Sequence, residues 1–341
     1  MNTFIVNYRN FAPIIEGMQS CGYTVLENLW EPTDADLREC DGYLICMYNA
    51  IKRPQQLLKL KAQLRRHNIP LITWNRDGPW HKGDKWWRLW LMKNLPIFDV
   101  YATHTLQDSS KFAPQVMYLP NAAWTSVYNL TGKTLPDLRD PGGYRFDASF
   151  FGKLDPVKYG EIRLRAEFFS ELERRLNKLG YQCCFKHVDQ MPYPDQVEFI
   201  QRSRINFNFW AGCDDGAEKS WGLPERCYGV PACGGFLLSD AREHARDDFV
   251  PEEEWVSFES LDDCTEKVSF YLKNYDTART IAERAHARVM REHTYVHRAA
   301  SLIDVARRWR AARGIERAPL KLPVPVKHAP AEISVGAKKV R

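Results

Sequence analysis

Short apolar runs alternate with longer amphipathic stretches along the first 120 residues. Runs such as 4–6 and 43–47 have the length and composition of strands that are buried on both faces. Between such runs lie stretches with helical spacing, for example 11–21, which Gly22 ends, and 54–66, which a proline begins. This alternation predicts a parallel, doubly wound sheet, in which ligands bind outside the carboxyl ends of the strands.

A second alternation of the same kind begins near residue 147, after a stretch that is rich in proline and glycine. We therefore predict two α/β domains, at 1–125 and 147–300, connected by a linker at 126–146. A final helix at 301–314 follows. The remaining residues, 315–341, are expected to be a flexible basic tail rich in proline and lysine.

The stretch 220–240 combines a Gly-Leu-Pro start, a short predicted helix, a small-residue turn and a buried strand. A helix start beside a glycine-rich turn offers backbone N–H groups and a positive dipole end, which suit phosphate. Arg226 can add a planar fork of donors for a diphosphate. Small residues between a helix and a strand also occur in ordinary tight connections, so this stretch alone leaves both interpretations open.

The same stretch resembles the C-terminal domain of GT-B glycosyltransferases, specifically the CgeB-like (spore maturation protein B-like) family. The resemblance is carried by Arg226, Tyr228 and the run Pro-Ala-Cys-Gly-Gly-Phe-Leu-Leu at 231–238. It covers about residues 147–303, because further similar segments keep the family's order and spacing. These segments are 147–153, 203–209, 254–258, 267–272, 282–285 and 292–298.

The resemblance implies a GT-B fold, in which two Rossmann-like, doubly wound parallel-sheet domains face a cleft. It assigns the acceptor to the N-terminal domain and the nucleotide-sugar to the C-terminal domain, and it returns helix 301–314 to the N-terminal domain. The implied activity is transfer of a sugar from a UDP- or GDP-sugar to an acceptor hydroxyl, without a bound cofactor. We expect the acceptor to be a saccharide of a surface glycan.

Two positions depart from the pattern of many retaining GT-B enzymes, which have Glu where this chain has Trp221 and Gly229. A non-catalytic binding module with the GT-B shape is therefore one alternative function. Another alternative is a phage-type DNA glycosyltransferase that acts on a hydroxymethylated base.

Fixed cations and N–H groups should dominate donor binding, because charge develops on the leaving diphosphate. Lys153 follows a predicted strand and is expected to face the donor, whereas Arg163 could equally lie on a solvated helix face. The candidate donor-binding residues are Lys153, Arg163, Lys219, Glu225, Arg226, Gly234 and Gly235.

An inverting enzyme also needs a base that removes the acceptor proton. Asp77 is one candidate, since the CgeB-like family has an Asp-containing aromatic turn at this point. His104, after the strand predicted at 98–103, is the second. Asp77 could instead bond to its own turn, and His104 could be a structural residue.

The candidate acceptor-binding residues are Tyr8, Asn49, Trp80 and Trp86. The first two follow predicted strands, and the tryptophans belong to a basic, aromatic segment at 74–90. Aromatic faces stack on sugars and on nucleobases, and such a segment can also rest on a membrane surface. Alternatively, Trp86 and Trp90 pack inward as helix core.

The net charge of +5 is unevenly distributed, because residues 307–341 carry many Lys and Arg residues but few acidic ones. This end could contact DNA or an anionic membrane surface, although a solvated chain end is the favoured interpretation. The chain has no apolar run of about 20 residues and no signal peptide pattern. Its nine cysteines form no compact disulfide framework, which is typical of a cytoplasmic protein.

His293 and His297 are spaced four residues apart, as in some zinc sites. No third ligand and no Glu-containing motif accompanies the pair, so we expect no metal.

Overall fold

The computed structural model describes residues 2–8, 11–76, 86–95, 97–106, 112–157, 162–210, 220–316 and 322. The side chains of Trp86, Arg88, Leu89 and Leu91 lie outside this description. The chain divides into two compact units, of which unit 1 comprises residues 1–120 and 295–341, and unit 2 comprises residues 121–294.

Unit 1 begins with strands and helices that alternate along the chain. The strands are Thr3–Asn7 (β1), Thr24–Glu27 (β2), Cys40–Cys46 (β3), Leu71–Asn75 (β4), Val100–Thr103 (β5) and Gln115–Tyr118 (β6). The helices are Ala12–Ser20 (α1), Asp34–Arg38 (α2), Met47–Ile51 (α3), Pro54–Arg66 (α4) and Trp86–Asn94 (α5). The described strands form one parallel sheet in the order β2-β1-β3-β4-β5-β6.

The apolar runs of unit 1 are the strands of this sheet, as predicted. All residues of β3 and β4 are buried, because helices cover both faces of a parallel sheet. Gly22 ends α1 in the left-handed conformation, with φ of 79°, and its N–H donates to the carbonyl oxygen of Gln19 at 2.9 Å. The pattern thus correctly predicted both the sheet and this helix end.

Unit 2 repeats the alternation. Its strands are Phe146–Gly152 (β7), Cys183–His187 (β8), Ser203–Asn208 (β9), Leu237–Asp240 (β10) and Val256–Phe258 (β11). Its helices are Arg163–Lys178 (α6), Tyr193–Gln201 (α7), Arg226–Ala232 (α8), Ala245–Asp248 (α9), Leu261–Lys273 (α10) and Tyr275–Glu292 (α11). The described strands form a parallel sheet in the order β11-β10-β9-β7-β8.

Two apolar cores flank the sheet of unit 2. One is rich in phenylalanine, and Phe150 of β7 stacks on Phe169 of α6 with ring centroids 4.3 Å apart. The other includes the buried side chains of α8, among them Tyr228 and Val230. Burial on both faces explains the continuous apolar run at 236–238, which leads into β10.

The last helix, Tyr295–Ala311 (α12), belongs to unit 1 and packs on α1. A glycine in α1 makes this contact possible, since a Cβ atom on Gly17 would lie 2.5 Å from the carbonyl oxygen of Tyr295. Among the described residues, no helix is long and apolar enough to cross a membrane.

Residues 126–146, which we expected to connect two domains, lie within unit 2. Leu138 is buried there, and Arg139 pairs with Glu283 at 2.7 Å. The ring of Tyr144 packs edge-on against Tyr275. Proline and glycine in this stretch therefore form two short 3-10 helices on the surface of unit 2.

Candidate active site

The carboxyl ends of the unit 2 strands lie at one edge of the sheet, because all of these strands are parallel. The chain runs from β7 to β8 on one side and then crosses to β9 on the other side of β7. Such a change of direction opens a crevice outside the strand ends, where ligands of doubly wound sheets bind. We refer to this edge of unit 2, at the ends of β7, β9 and β10, as the donor edge.

Arg226 is the first residue of α8 and lies at the donor edge. Its Nη2 donates to the carbonyl oxygen of Phe151 at 2.6 Å, and its guanidinium lies 4.5 and 4.6 Å from the ring centroids of Phe150 and Phe151. Burial, followed by the like charge of Arg165, lowers the pKa of Arg226 to about 10. The side chain therefore remains positively charged at neutral pH.

Arg165 lies in the first turn of α6 and connects two loops of the donor edge. Its Nε donates to the carbonyl oxygens of Phe209 at 3.0 Å and of Trp210 at 2.8 Å, and its Nη1 donates to that of Lys153 at 3.3 Å. Lys153, a predicted donor ligand that directly follows β7, is exposed at this edge. The structure thus brings Lys153, Arg165 and Arg226 together.

Arg163, a predicted donor ligand, points elsewhere. It forms an ion pair with Glu167 at 2.7 Å, and 76% of its side chain is exposed. Two residues along a helix differ in direction by about 200°, so that Arg165 reaches the donor edge whereas Arg163 faces solvent. The sequence-based selection missed Arg165.

A buried carboxylate, Asp240, organises the loops that follow β9 and β10. It accepts hydrogen bonds from Asn208 Nδ2 at 2.9 Å and from the backbone N–H of Trp210 at 3.2 Å. Arg242 donates to both of its oxygens, at 3.2 and 3.1 Å, and to the carbonyl oxygen of Gly222 at 2.6 Å. This network was not predicted, because it joins three segments, at 208–210, 222 and 240–242, that lie far apart in the sequence.

Gly234 and Gly235 do not lie at the donor edge, contrary to our expectation. They precede β10 and therefore occupy the opposite, amino edge of the sheet. A Cβ atom on Gly234 would lie 2.6 Å from Leu138 Cδ1, and one on Gly235 would lie 2.8 Å from Ile200 Cγ2. The small residues serve close packing at this turn, which is the ordinary interpretation of a tight connection.

Glu225 occupies the N-cap position of α8, beside Arg226. Burial, and then the charge of Glu225, raises the pKa of Tyr128. The ring of Tyr128 packs against Gly229, where a Cβ atom would lie 3.5 Å from the ring. The position at which many retaining enzymes have Glu is thus covered by an aromatic ring. Lys219 lies outside the described residues.

Three unit 1 candidates lie at the carboxyl edge of their own sheet, after β1, β3 and β5. Tyr8 accepts a hydrogen bond from Arg76 Nε at 3.4 Å, and Asn49 is half-buried within α3. His104 is only 1% exposed, and its backbone N–H donates to the carbonyl oxygen of Asn75. A substrate hydroxyl therefore has no access to the His104 ring in this conformation.

The tryptophan-rich segment is described only in part. Asp77 and Trp80 lie outside the described residues, as does the side chain of Trp86. Trp87 and Trp90 of α5 are 45% and 59% exposed, whereas Met92 of the same helix is buried. The alternative in which Trp90 packs inward as helix core is therefore wrong.

His293, one of the two histidines spaced four residues apart, lies in the core of unit 2. His293 is fully buried, with its Nε2 2.9 Å from the carbonyl oxygen of Asp248. Within the described ranges, no group of three His, Cys, Asp or Glu side chains could hold a metal ion.

Comparison with known families adds to this geometry. Residues 162–304 match a family whose description is glycosyl transferase-like. This segment is therefore similar to a glycosyl transferase-like domain. It begins just before α6, contains Arg165 and Arg226, and ends within α12. No curated protein matched the chain in sequence.

Solved structures of similar fold cover about nine-tenths of the chain. Sucrose-phosphate synthase from Thermosynechococcus elongatus superposes with a TM-score of 0.59 at 11% identity, covering 92% of this chain and 100% of that chain. The Anabaena protein HepE in complex with UDP-glucose superposes with a TM-score of 0.54 at 12% identity, covering 89% of this chain and 99% of that chain. An α-glucosyltransferase in complex with UDP and a 13-mer DNA containing a HMU base superposes with a TM-score of 0.52 at 12% identity. The superposition covers 90% of this chain and 99% of that chain. Together with the two parallel sheets, these likenesses establish the GT-B fold.

Proposed function

We propose that this protein is a glycosyltransferase of the CgeB-like branch that moves a sugar from a nucleoside-diphosphate sugar to an acceptor hydroxyl. The glycosyl transferase-like domain at 162–304 supports the activity. UDP-sugars are the first donors to test, because UDP or UDP-glucose is bound in solved structures of two proteins of this fold, HepE and an α-glucosyltransferase. In this proposal the nucleotide-sugar is a substrate, and no cofactor is required.

The position of Arg226 carries the proposal. It is held at the donor edge by the carbonyl oxygen of Phe151 and by two aromatic rings, and no carboxylate among the described residues pairs with it. A second cation, Arg165, lies close enough to lower its pKa. Two neighbouring positive charges favour an anion, and a diphosphate can accept several charge-assisted hydrogen bonds from such donors.

Unit 1 supplies the acceptor side in this proposal. Tyr8 and Asn49 follow its strand ends, and the exposed faces of Trp87 and Trp90 can stack on a sugar. We assign the base to Asp77 rather than to His104, because the His104 ring is buried. The favoured acceptor is a saccharide of a surface glycan.

A hydroxymethylated base in DNA is a second candidate acceptor. It is favoured by the likeness to the α-glucosyltransferase bound to DNA and by the basic residues at 313–341. DNA binding that weakens steeply between 50 and 200 mM salt, at roughly one power of salt concentration for each phosphate contacted, would support this acceptor. Transfer to a glycan that is insensitive to salt would favour the saccharide.

Replacement of Arg226 tests the donor site. We expect Arg226→Ala to weaken UDP affinity by about 10- to 100-fold, since hydrogen bonds to charged groups contribute about 1.5–3 kcal/mol. Arg226→Lys should recover part of this affinity, because it keeps the charge but loses the fork. UDP affinity is measured by calorimetry, and transfer is measured with a panel of UDP- and GDP-sugars.

Arg163→Ala is the matched control, because this side chain is solvated in the same domain. It should bind UDP as the wild type does. A folded Arg226→Ala variant with wild-type UDP affinity would contradict the assignment of the donor site. A wild-type protein that binds UDP-sugars but neither transfers nor hydrolyses them would instead be a non-catalytic module.

A further inference from the structure

Trp210 adopts an unusual backbone conformation at the donor edge. It follows β9 by two residues and has φ of 44°, in the left-handed region that favours glycine. Its side chain is half-buried. A non-glycine residue keeps such a conformation only where its surroundings enforce it.

Two side chains enforce the conformation of Trp210 from opposite directions. The carboxylate of Asp240 accepts its backbone N–H at 3.2 Å, and Arg165 Nε donates to its carbonyl oxygen at 2.8 Å. Asp240 is itself fixed by Arg242, whose side chain is fully buried. The loop after β9 is thus held by the Asp240 carboxylate at the N–H of Trp210 and by the Arg165 guanidinium at its carbonyl oxygen.

Arg165 donates hydrogen bonds to three carbonyl oxygens in two neighbouring loops. These oxygens belong to Lys153, Phe209 and Trp210. Carbonyl oxygens carry partial negative charge and would repel a phosphate group at this edge. The guanidinium neutralises them with its fixed fork of donors, which a single ammonium group cannot match across both loops.

Arg165 and Arg226 also share an aromatic ring. Their guanidinium carbons lie 5.8 and 4.5 Å from the ring centroid of Phe150 in β7. The ring fixes two like charges beside each other at the end of one strand. Arg165 is bound to carbonyl groups there, whereas Arg226 donates to only one carbonyl oxygen among the described residues.

We propose that Arg165 is a positioning residue of the donor site, which holds Lys153 and Trp210 in place and screens their carbonyl groups from the donor diphosphate. Arg226 and Lys153 then contact the phosphates, while Arg165 acts through the loops that it binds. This inference rests on the proposed function, because it assumes that a nucleoside diphosphate occupies the donor edge.

Two ligands, UDP and UMP, separate this role from a general structural one. We expect Arg165→Met, which keeps the aliphatic stem, to weaken UDP affinity about tenfold and UMP affinity much less, because the proposed arrangement places the diphosphate beside the screened carbonyl groups and UMP lacks the second phosphate. In transfer assays the KM for the donor should rise more than kcat falls. Arg165→Lys should restore part of the UDP affinity, because it returns the positive charge but not the fork.

Arg174→Met is the matched control, since Arg174 lies on the same helix and pairs with Glu171 near the surface. It should leave both affinities unchanged. Equal weakening of UDP and UMP by Arg165→Met, or wild-type affinity for both in the folded variant, would overturn the inference while the proposed function stands. A wild-type protein that binds neither UDP nor any nucleotide-sugar would overturn the proposed function as well.

Discussion

Two residues of unit 2 that are close in sequence, Arg226 and Gly234, have different roles because they lie at different edges of the sheet. Arg226 and Gly234 belong to one short helix and the turn that follows it, yet they lie at opposite edges of the sheet. Arg226 keeps a charge at the edge where ligands of such sheets bind. Gly234 has φ of 73° and leaves no room for a side chain. Its carbonyl oxygen accepts a hydrogen bond from the buried Arg279 at 2.8 Å.

Gly234→Ala should destabilise unit 2 without changing the donor site. The left-handed backbone costs an alanine about 1–2 kcal/mol, and overpacking against Leu138 costs about 1–3 kcal/mol more. Gly180→Ala is the control, because φ is 85° there but nothing lies within 4 Å of an added Cβ. Urea unfolding measures the free energy of unfolding of both variants. An equal decrease in the two variants would show that the packing contact with Leu138 has no effect.

Arg165 could have been selected from the sequence by a different criterion. It lies four residues before Phe169, which begins the buried stripe of α6 that continues through Leu172 and Leu176. Arg163 lies outside that stripe. A long cationic side chain at the end of an apolar helix face is held against the sheet, which brings its head group to a strand end.

At the scale of elements, helix α12 is held in unit 1 by a buried carboxylate as well as by apolar contacts. Asp41 is fully buried and accepts a hydrogen bond from Tyr23 Oη at 2.8 Å. From α12, Arg307 and Arg310 approach it at 3.3 and 3.7 Å. Burial, and then the bond to Asp41, raises the pKa of Tyr23, so that the phenol remains a donor.

Asp41→Asn should destabilise unit 1 strongly. Removing the carboxylate leaves two arginines in a poorly solvated site without their counter-charge, which costs about 3–5 kcal/mol when one partner of a buried pair is removed. Asp304→Asn on the same helix is the control, because its partner Arg308 is 64% exposed. The free energy of unfolding of the Asp304→Asn variant should fall by less than about 1 kcal/mol. Similar unfolding free energies for the two variants would refute a role of Asp41 in holding α12.

At the scale of the whole molecule, the chain leaves unit 1 at residue 120 and returns to it at residue 295. Unit 1 is therefore completed only when α12, the last described helix, has been added. The buried residues of α12 include Ala299, Leu302, Ile303 and Ala306, and they complete a core with α1 and β3.

Truncation tests this dependence. A chain that ends at Thr294 should lose protection from hydrogen exchange throughout residues 1–120, because the apolar face of α1 becomes exposed to water. Residues 121–294 should remain protected, since their two cores lie within unit 2. A chain that ends at Glu316 keeps α12 and is the control. Full protection of residues 1–120 in the shorter chain would show that unit 1 folds without α12.

The sequence by itself determined the strands, the two α/β alternations and the resemblance that pointed to Arg226. Apolar runs and helical spacing encode burial along the chain, and that information is local. Only the tertiary structure decided which carbonyl groups Arg165 binds, that Gly234 and Gly235 pack against Leu138 and Ile200, and that residues 126–146 pack within unit 2. Each of these outcomes depends on the order of the strands in the sheet and on contacts between residues distant in sequence, which periodicity does not encode.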